Sequence, residues 1–226
     1  AYLEGWRTRI EEPGLAVTTE VREGRPAEQA LDVARSRKVD LLVLTPRGAG
    51  AGTGVGLGDT AQKVIGGGTV SFLLVRRAPG MGEAEAAQRF RRVLVPLDAS
   101  RRAECALQVA AAIARSHGAS LLVTHVAPVP ELPDAMLPTP DDVELRERVV
   151  ARNKERGDAY LQEVHLRVST ADLTTTTRLL VAPDVGRAVC RTIRDDDVDL
   201  VVASAHGGGL RGTGAFAPYG SVARDL

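Results

Sequence analysis

Two segments of the sequence carry small and hydroxyl residues at spacings suited to holding an anion. In the later one, Ser204-Ala205-His206-Gly207 follows the strand pattern Val198–Ala203, and Gly220-Ser221-Val222-Ala223 opens a helical pattern. In the earlier one, Thr45-Pro46-Arg47-Gly48 follows Val39–Leu44, and Gly58-Asp59-Thr60-Ala61 opens the next helix. A strand, a glycine loop and a helix start, in that order, build a phosphate cradle. The first N–H groups of a helix have no partner inside it and point at whatever occupies the loop. Gly207 allows close backbone approach to a phosphate. Gly220, Ser221 and Val222 offer N–H donors, and the Ser221 hydroxyl adds one more.

The two segments lie about 159 residues apart. A repeat of that length predicts two domains of one kind: a first over residues 1–78 that lacks its early strands, a linker at 79–90, and a second over 91–226 that lacks its last strand. Both ends of the chain look cut. The counterpart of Arg92 in the first domain would precede Ala1, and the counterpart of Val70–Val75 in the second would follow Leu226.

Composition excludes several classes. Lys+Arg and Asp+Glu are both 29, so the net charge is zero, without the basic excess of a nucleic-acid binder. Aromatic residues are only 3% of the chain, which leaves little for base stacking. Cys105 and Cys190 form no CxxC pair, so redox and metal roles are disfavoured and a reducing cytoplasm is expected. No membrane span or signal peptide is visible. The loop Gly48–Gly58 has glycine at every second position, which never gives G-x-G-x-x-G, and no G-K-S/T follows.

The elements that must position the candidate residues alternate between strand and helix. A helical pattern over Ala1–Glu12 stops at Pro13-Gly14. Leu15–Val21 alternates as a strand, a helix follows Pro26, and Val39–Leu44 reads as a strand covered on both faces. Thr60–Ile65 is a short helix and Val70–Val75 another buried strand. In the second domain the predicted order is strand Arg92–Asp98, helix Arg101–Ser116, strand Ser120–Val126, and a helix from the capping box Thr139-Pro140-Asp141-Asp142 to about Arg167. Strand Thr174–Val181, helix Asp184–Arg194 and strand Val198–Ala203 complete it. The alternation predicts an α/β fold, an open parallel twisted sheet with helices on both faces.

Val95-Pro96-Leu97-Asp98-Ala99-Ser100, with Ser204-Ala205-His206-Gly207 and Pro218-Tyr219-Gly220-Ser221-Val222-Ala223, resembles the universal stress protein family over essentially the whole chain. The resemblance implies five parallel strands in order 3-2-1-4-5, an ATP site in many members, and pairing of two domains through edge strands. This sequence departs from the pattern. Ser204 and Thr45 replace the first motif glycine, twelve residues separate Gly207 from Gly220 where nine are usual, and Asp59 stands where a phosphate-binding Ser or Thr belongs.

Ligands of open parallel sheets bind beyond the carboxyl ends of the strands, where the winding reverses. In the implied order that point lies between the strands ending at Leu97 and Ala203. Pro96, Leu97 and Asp98 would face the Ser204–Gly207 loop, including His206. Asp98 would accept from a ribose hydroxyl or an adenine amine, and the resemblance places the adenine-reading backbone at Val126. Duller roles exist for each. Asp98 and Ser100 would serve as caps for the helix at Arg101, and Ser221 as the cap of its own helix. His206 reads better as a loop residue than as a catalyst, and His117, His125 and His165 as structural or exposed.

Three functions follow. The first is a cytoplasmic stress-response regulator that binds ATP, with or without Mg²⁺, mainly in the second domain. The second is a ligand-free scaffold that pairs domains or forms homodimers through sheet-edge strands, with no nucleic acid or membrane partner. The third is a slow ATP hydrolase, for which no base or metal cluster is visible. Asp59 argues for one strong site per chain. A carboxylate about 4 Å from a phosphate charge costs on the order of 4 kcal/mol at an effective dielectric of 20.

Overall fold

The computed structural model describes residues 2–47, 57–67, 70–76, 89–131 and 139–205. The chain divides into two compact units, Ala1–Pro79 and Gly80–Leu226.

The second unit is built on a four-stranded parallel sheet. Its strands are β3 (Arg92–Leu97), β4 (Ser120–Pro128), β5 (Thr175–Ala182) and β6 (Leu200–Val201), in the order β5-β4-β3-β6. That is the expected 3-2-1-4; a fifth strand is not among the described residues. Helices α4 (Arg101–His117) and α5 (Pro140–Val168) cover one face and α6 (Val185–Asp195) the other. The division follows from strand alternation. Val93, Val95, Leu97, Leu121 and Val123 meet Ala110, Ala114, Leu161 and Val164, whereas Leu94, Leu122 and Val126 meet Val189. The capping box forms as predicted: Thr139 Oγ1 accepts from Asp142 N–H at 3.2 Å, and Asp142 Oδ2 accepts from Thr139 N–H at 2.9 Å.

In the first unit, α1 (Tyr2–Ile10) and α2 (Pro26–Ser36) precede β1 (Leu41–Leu44), α3 (Asp59–Gly67) and β2 (Ser71–Leu74). Here β1 and β2 pair in parallel, Leu41 with Ser71 through Leu44 with Leu74, which supplies the expected neighbours 4 and 5. Among the described residues, Ala27 and Ala34 of α2 and Ala61, Val64 and Ile65 of α3 are its buried apolar side chains.

Three expectations for this unit are corrected. Leu15–Val21 is not a strand. A strand needs a neighbour to take its backbone groups, and among the described residues none lies beside it; only the bridge Glu12–Leu15 forms. Glu20 instead binds Arg22 at 2.5 Å and Arg37 at 2.6 Å. Second, β1 is not covered on both faces: Leu41 is 49% and Val43 57% exposed. Third, β2 has half-buried residues but no buried one.

Candidate functional site

The site is built where β3 and β6 part. The Arg91 carbonyl accepts from Ser120 of β4, whereas the Arg92 and Leu94 carbonyls accept from Asp199 and Val202, at 3.1 and 2.9 Å. Even-numbered residues of β3 therefore point their backbone groups toward β6, and Pro96 is next in that row. Proline has no N–H to give, so the ladder cannot continue. The paired residues stop at Val93–Leu200 and Leu94–Val201. This corrects β6 from the predicted Val198–Ala203 to Leu200–Val201, and the β3–β6 pairing ends at the point where the winding reverses.

The chain turns sharply after Leu97, so β3 ends one residue before the predicted Asp98. Asp98 is exposed, and its Oδ1 accepts from Ser100 N–H at 3.0 Å. Ala99 lies in the left-handed region at φ 63°. Ser100 caps α4, its Oγ accepting from Ala103 N–H at 3.1 Å. The capping role weighed for both residues thus falls on Ser100, while Asp98 braces the turn.

Val126 is 7% exposed and packs with Leu94, Leu122 and Val189. Its side chain is spent on the core, which leaves its backbone as the part a ligand could read. β4 runs to Pro128, two residues past the predicted end at Val126. Ser204 follows β6 and is half-buried. His206, Gly207, Gly220, Ser221 and Val222 lie outside the described residues.

Four side chains not among the expected site residues stand behind the Asp98 turn; one of them, His125, expected to be structural or exposed, is half-buried. His125 Nδ1 donates to the Leu97 carbonyl at 2.8 Å. The Tyr160 ring meets the imidazole edge-on, with centroids 5.6 Å apart. The Tyr160 hydroxyl donates to Glu104 at 3.0 Å, and Arg167 grips both Glu104 oxygens at 2.9 and 3.1 Å. Arg167 holds the Glu104 carboxyl below its ordinary value, against the opposing effect of burial. Burial raises the Tyr160 hydroxyl well above its ordinary value, helped by the Glu104 and Asp98 charges. The available signal was Gly157, an isolated glycine inside a long helix, which marks close approach of a neighbour.

The corresponding place in the first unit closes on itself. Gly58 N–H donates to the Pro46 carbonyl at 2.8 Å, so that donor is already taken. Asp59 pairs with Lys63 at 2.7 Å, an exposed contact that offsets part of the negative charge. Among the described residues no group of three or more His, Cys, Asp or Glu side chains could hold a metal ion. No helix among them is long and apolar enough to cross a membrane.

The sequence pattern of the universal stress protein family matches residues 4–76 and 89–226. A universal stress protein of Thermus aquaticus, encoded in the QAH/OAS sulfhydrylase 3′ region, is 44% identical over 54 residues, covering 24% of this chain and 39% of that relative's length. Two solved structures share the fold over 99% of this chain. One, from Archaeoglobus fulgidus, has TM-score 0.63, 18% identity and 69% of its own length covered. The other, from Pseudomonas aeruginosa, has TM-score 0.64, 16% identity and 72% covered. Two matching segments that together span most of the sequence place this chain in the universal stress protein family.

Proposed function

We propose that the second unit binds an adenine nucleotide, ATP in the first instance, and that the protein is a nucleotide-responsive regulator of the stress response acting in the cytoplasm. The observation that carries this is the exposed Asp98 carboxylate at the end of β3, beside the point where Pro96 stops the β3–β6 ladder. A strand end, a reversal of winding and an oriented acid coincide there, as nucleotide sites of open parallel sheets require. Asp98 accepts from the ribose or the adenine amine, and the Val126 backbone lies at the base end. The Ser204–Gly207 loop and Gly220-Ser221-Val222 take the phosphates. ATP arrives with Mg²⁺ on its phosphates, and the described residues supply no cluster of their own for that ion. Mass spectrometry of small molecules released from denatured protein tests the reading. Adenine nucleotide in about equal amount to protein supports it; protein that stays empty after incubation with millimolar ATP rejects it.

A second reading, a ligand-free pairing scaffold, is favoured by one observation. Leu41 and Val43 put apolar side chains into solvent on a two-stranded sheet. Such a face is a ready association surface. Sedimentation decides: a dimer that Val43→Lys dissociates supports the scaffold, and a monomer at high concentration rejects it.

A further inference from the structure

We propose that His125 is a positioning residue for the Asp98 turn, holding the Leu97 carbonyl so that the acid is set before a ligand arrives; this rests on the reading of Asp98 as a nucleotide-binding group. His125 Nδ1 lies 2.8 Å from Leu97 O. A carbonyl oxygen only accepts, so the proton sits on Nδ1. The two residues are partners in the β3–β4 register, which puts the imidazole level with the last residue of β3.

The imidazole is seated by α5. A Cβ added at Gly157 would come within 3.1 Å of His125 Cδ2 and 2.6 Å of Leu179 Cδ1. Only a residue without a side chain allows the helix that close. The Tyr160 ring edge fixes the imidazole from the same helix. The Tyr160–Glu104–Arg167 contacts then extend the support to α4, whose cap is Ser100. The turn is thus held at both ends, through Leu97 on one side and the first turns of α4 on the other. Ala99 needs this support, because a non-glycine residue at φ 63° persists only when its surroundings fix it.

The experiment uses the full chain and two variants. His125→Asn keeps an N–H in the place of Nδ1. His125→Phe keeps a ring against Tyr160 and removes the donor. Three quantities are read: the exchange rate of the Ser100 amide in unliganded protein, the ATP dissociation constant, and the melting temperature. The Phe variant is expected to melt near the wild type, exchange the Ser100 amide about tenfold faster and bind ATP about tenfold more weakly, the effect of one lost hydrogen bond. The Asn variant is expected to restore both. Unchanged Ser100 exchange in the Phe variant overturns the proposal, as does an Asn variant no better than Phe. If wild-type protein binds no ATP, the nucleotide reading fails while amide exchange still decides the role of His125. If the Phe variant does not fold, the imidazole nitrogen shifts of the wild type decide: a proton on Nδ1 is predicted, and a bare Nδ1 overturns the proposal.

Discussion

Lys38 and Asp197 hold the same left-handed backbone conformation 159 positions apart, at φ 51° and 49°. Each lies in the turn between the end of a helix and the strand that follows. Val39 N–H donates to the Ala34 carbonyl at 2.9 Å, and Val198 N–H donates to the Ile193 carbonyl at 3.0 Å. The same helix-ending motif, usually built on glycine, is thus made twice with a charged residue. The bridges Glu12–Leu15 and Thr170–Leu173 also recur, 158 positions apart. The duplication extends from side-chain pattern to individual backbone angles.

The left-handed conformation costs a non-glycine residue about 1–2 kcal/mol, and glycine gives back about 0.5–1 kcal/mol through its freedom in the unfolded chain. Lys38→Gly should therefore stabilise the first unit by roughly 0.5–1 kcal/mol in urea unfolding. Asp197→Gly should gain less, since aspartate tolerates this region better. A loss of stability in Lys38→Gly would show that the lysine side chain has a partner worth more than the strain.

Thr124 is fully buried in β4, opposite Pro96, and its hydroxyl has no hydrogen-bond partner among the described residues. A buried unsatisfied polar group costs about 1–3 kcal/mol. Thr124→Val keeps the shape and removes the hydroxyl, so it should stabilise the second unit by about 1 kcal/mol. Destabilisation of that size, measured by thermal unfolding, would mean that a buried water satisfies the hydroxyl.

Glu104 has its carboxyl lowered from an ordinary value of 4.5 by Arg167, with help from the Tyr160 hydroxyl. A carboxylate depressed on folding contributes stability that is complete above its unfolded value and is lost as pH falls through the folded one. The wild type should lose stability below about pH 4.5. Glu104→Gln should be weaker by about 1 kcal/mol at pH 7 and show a shallower acid loss. Parallel acid profiles for the two proteins would contradict the assignment.

Much of this architecture was legible in the sequence, for identifiable reasons. The apolar runs of β3 and β4 and the alanine face of α4 mark a parallel sheet with helices over it, and the Thr139 box marks the start of α5. Failures arose where neighbours decide the outcome. Leu15–Val21 has the alternation of a strand and no adjacent strand among the described residues. Val198–Ala203 is apolar except for Asp199, yet only Leu200–Val201 pairs, and Pro96 on the neighbouring strand has no N–H to carry the ladder further. His125, Tyr160, Glu104 and Arg167 come from β4, α5 and α4, and only the fold brings them together behind Asp98.

Calorimetric titration of the full chain with ATP and Mg²⁺, in the wild type and in Asp98→Ala, tests the central claim most directly. One site per chain is predicted, because Gly58 N–H is already bound to Pro46 in the first unit. Removing the carboxylate should weaken binding roughly ten- to a hundredfold, the range expected for hydrogen bonds to a charged group, while Asp59→Ser should change little. Absence of heat at millimolar ATP, two sites of equal affinity, or an Asp98→Ala protein that binds like the wild type would contradict the account.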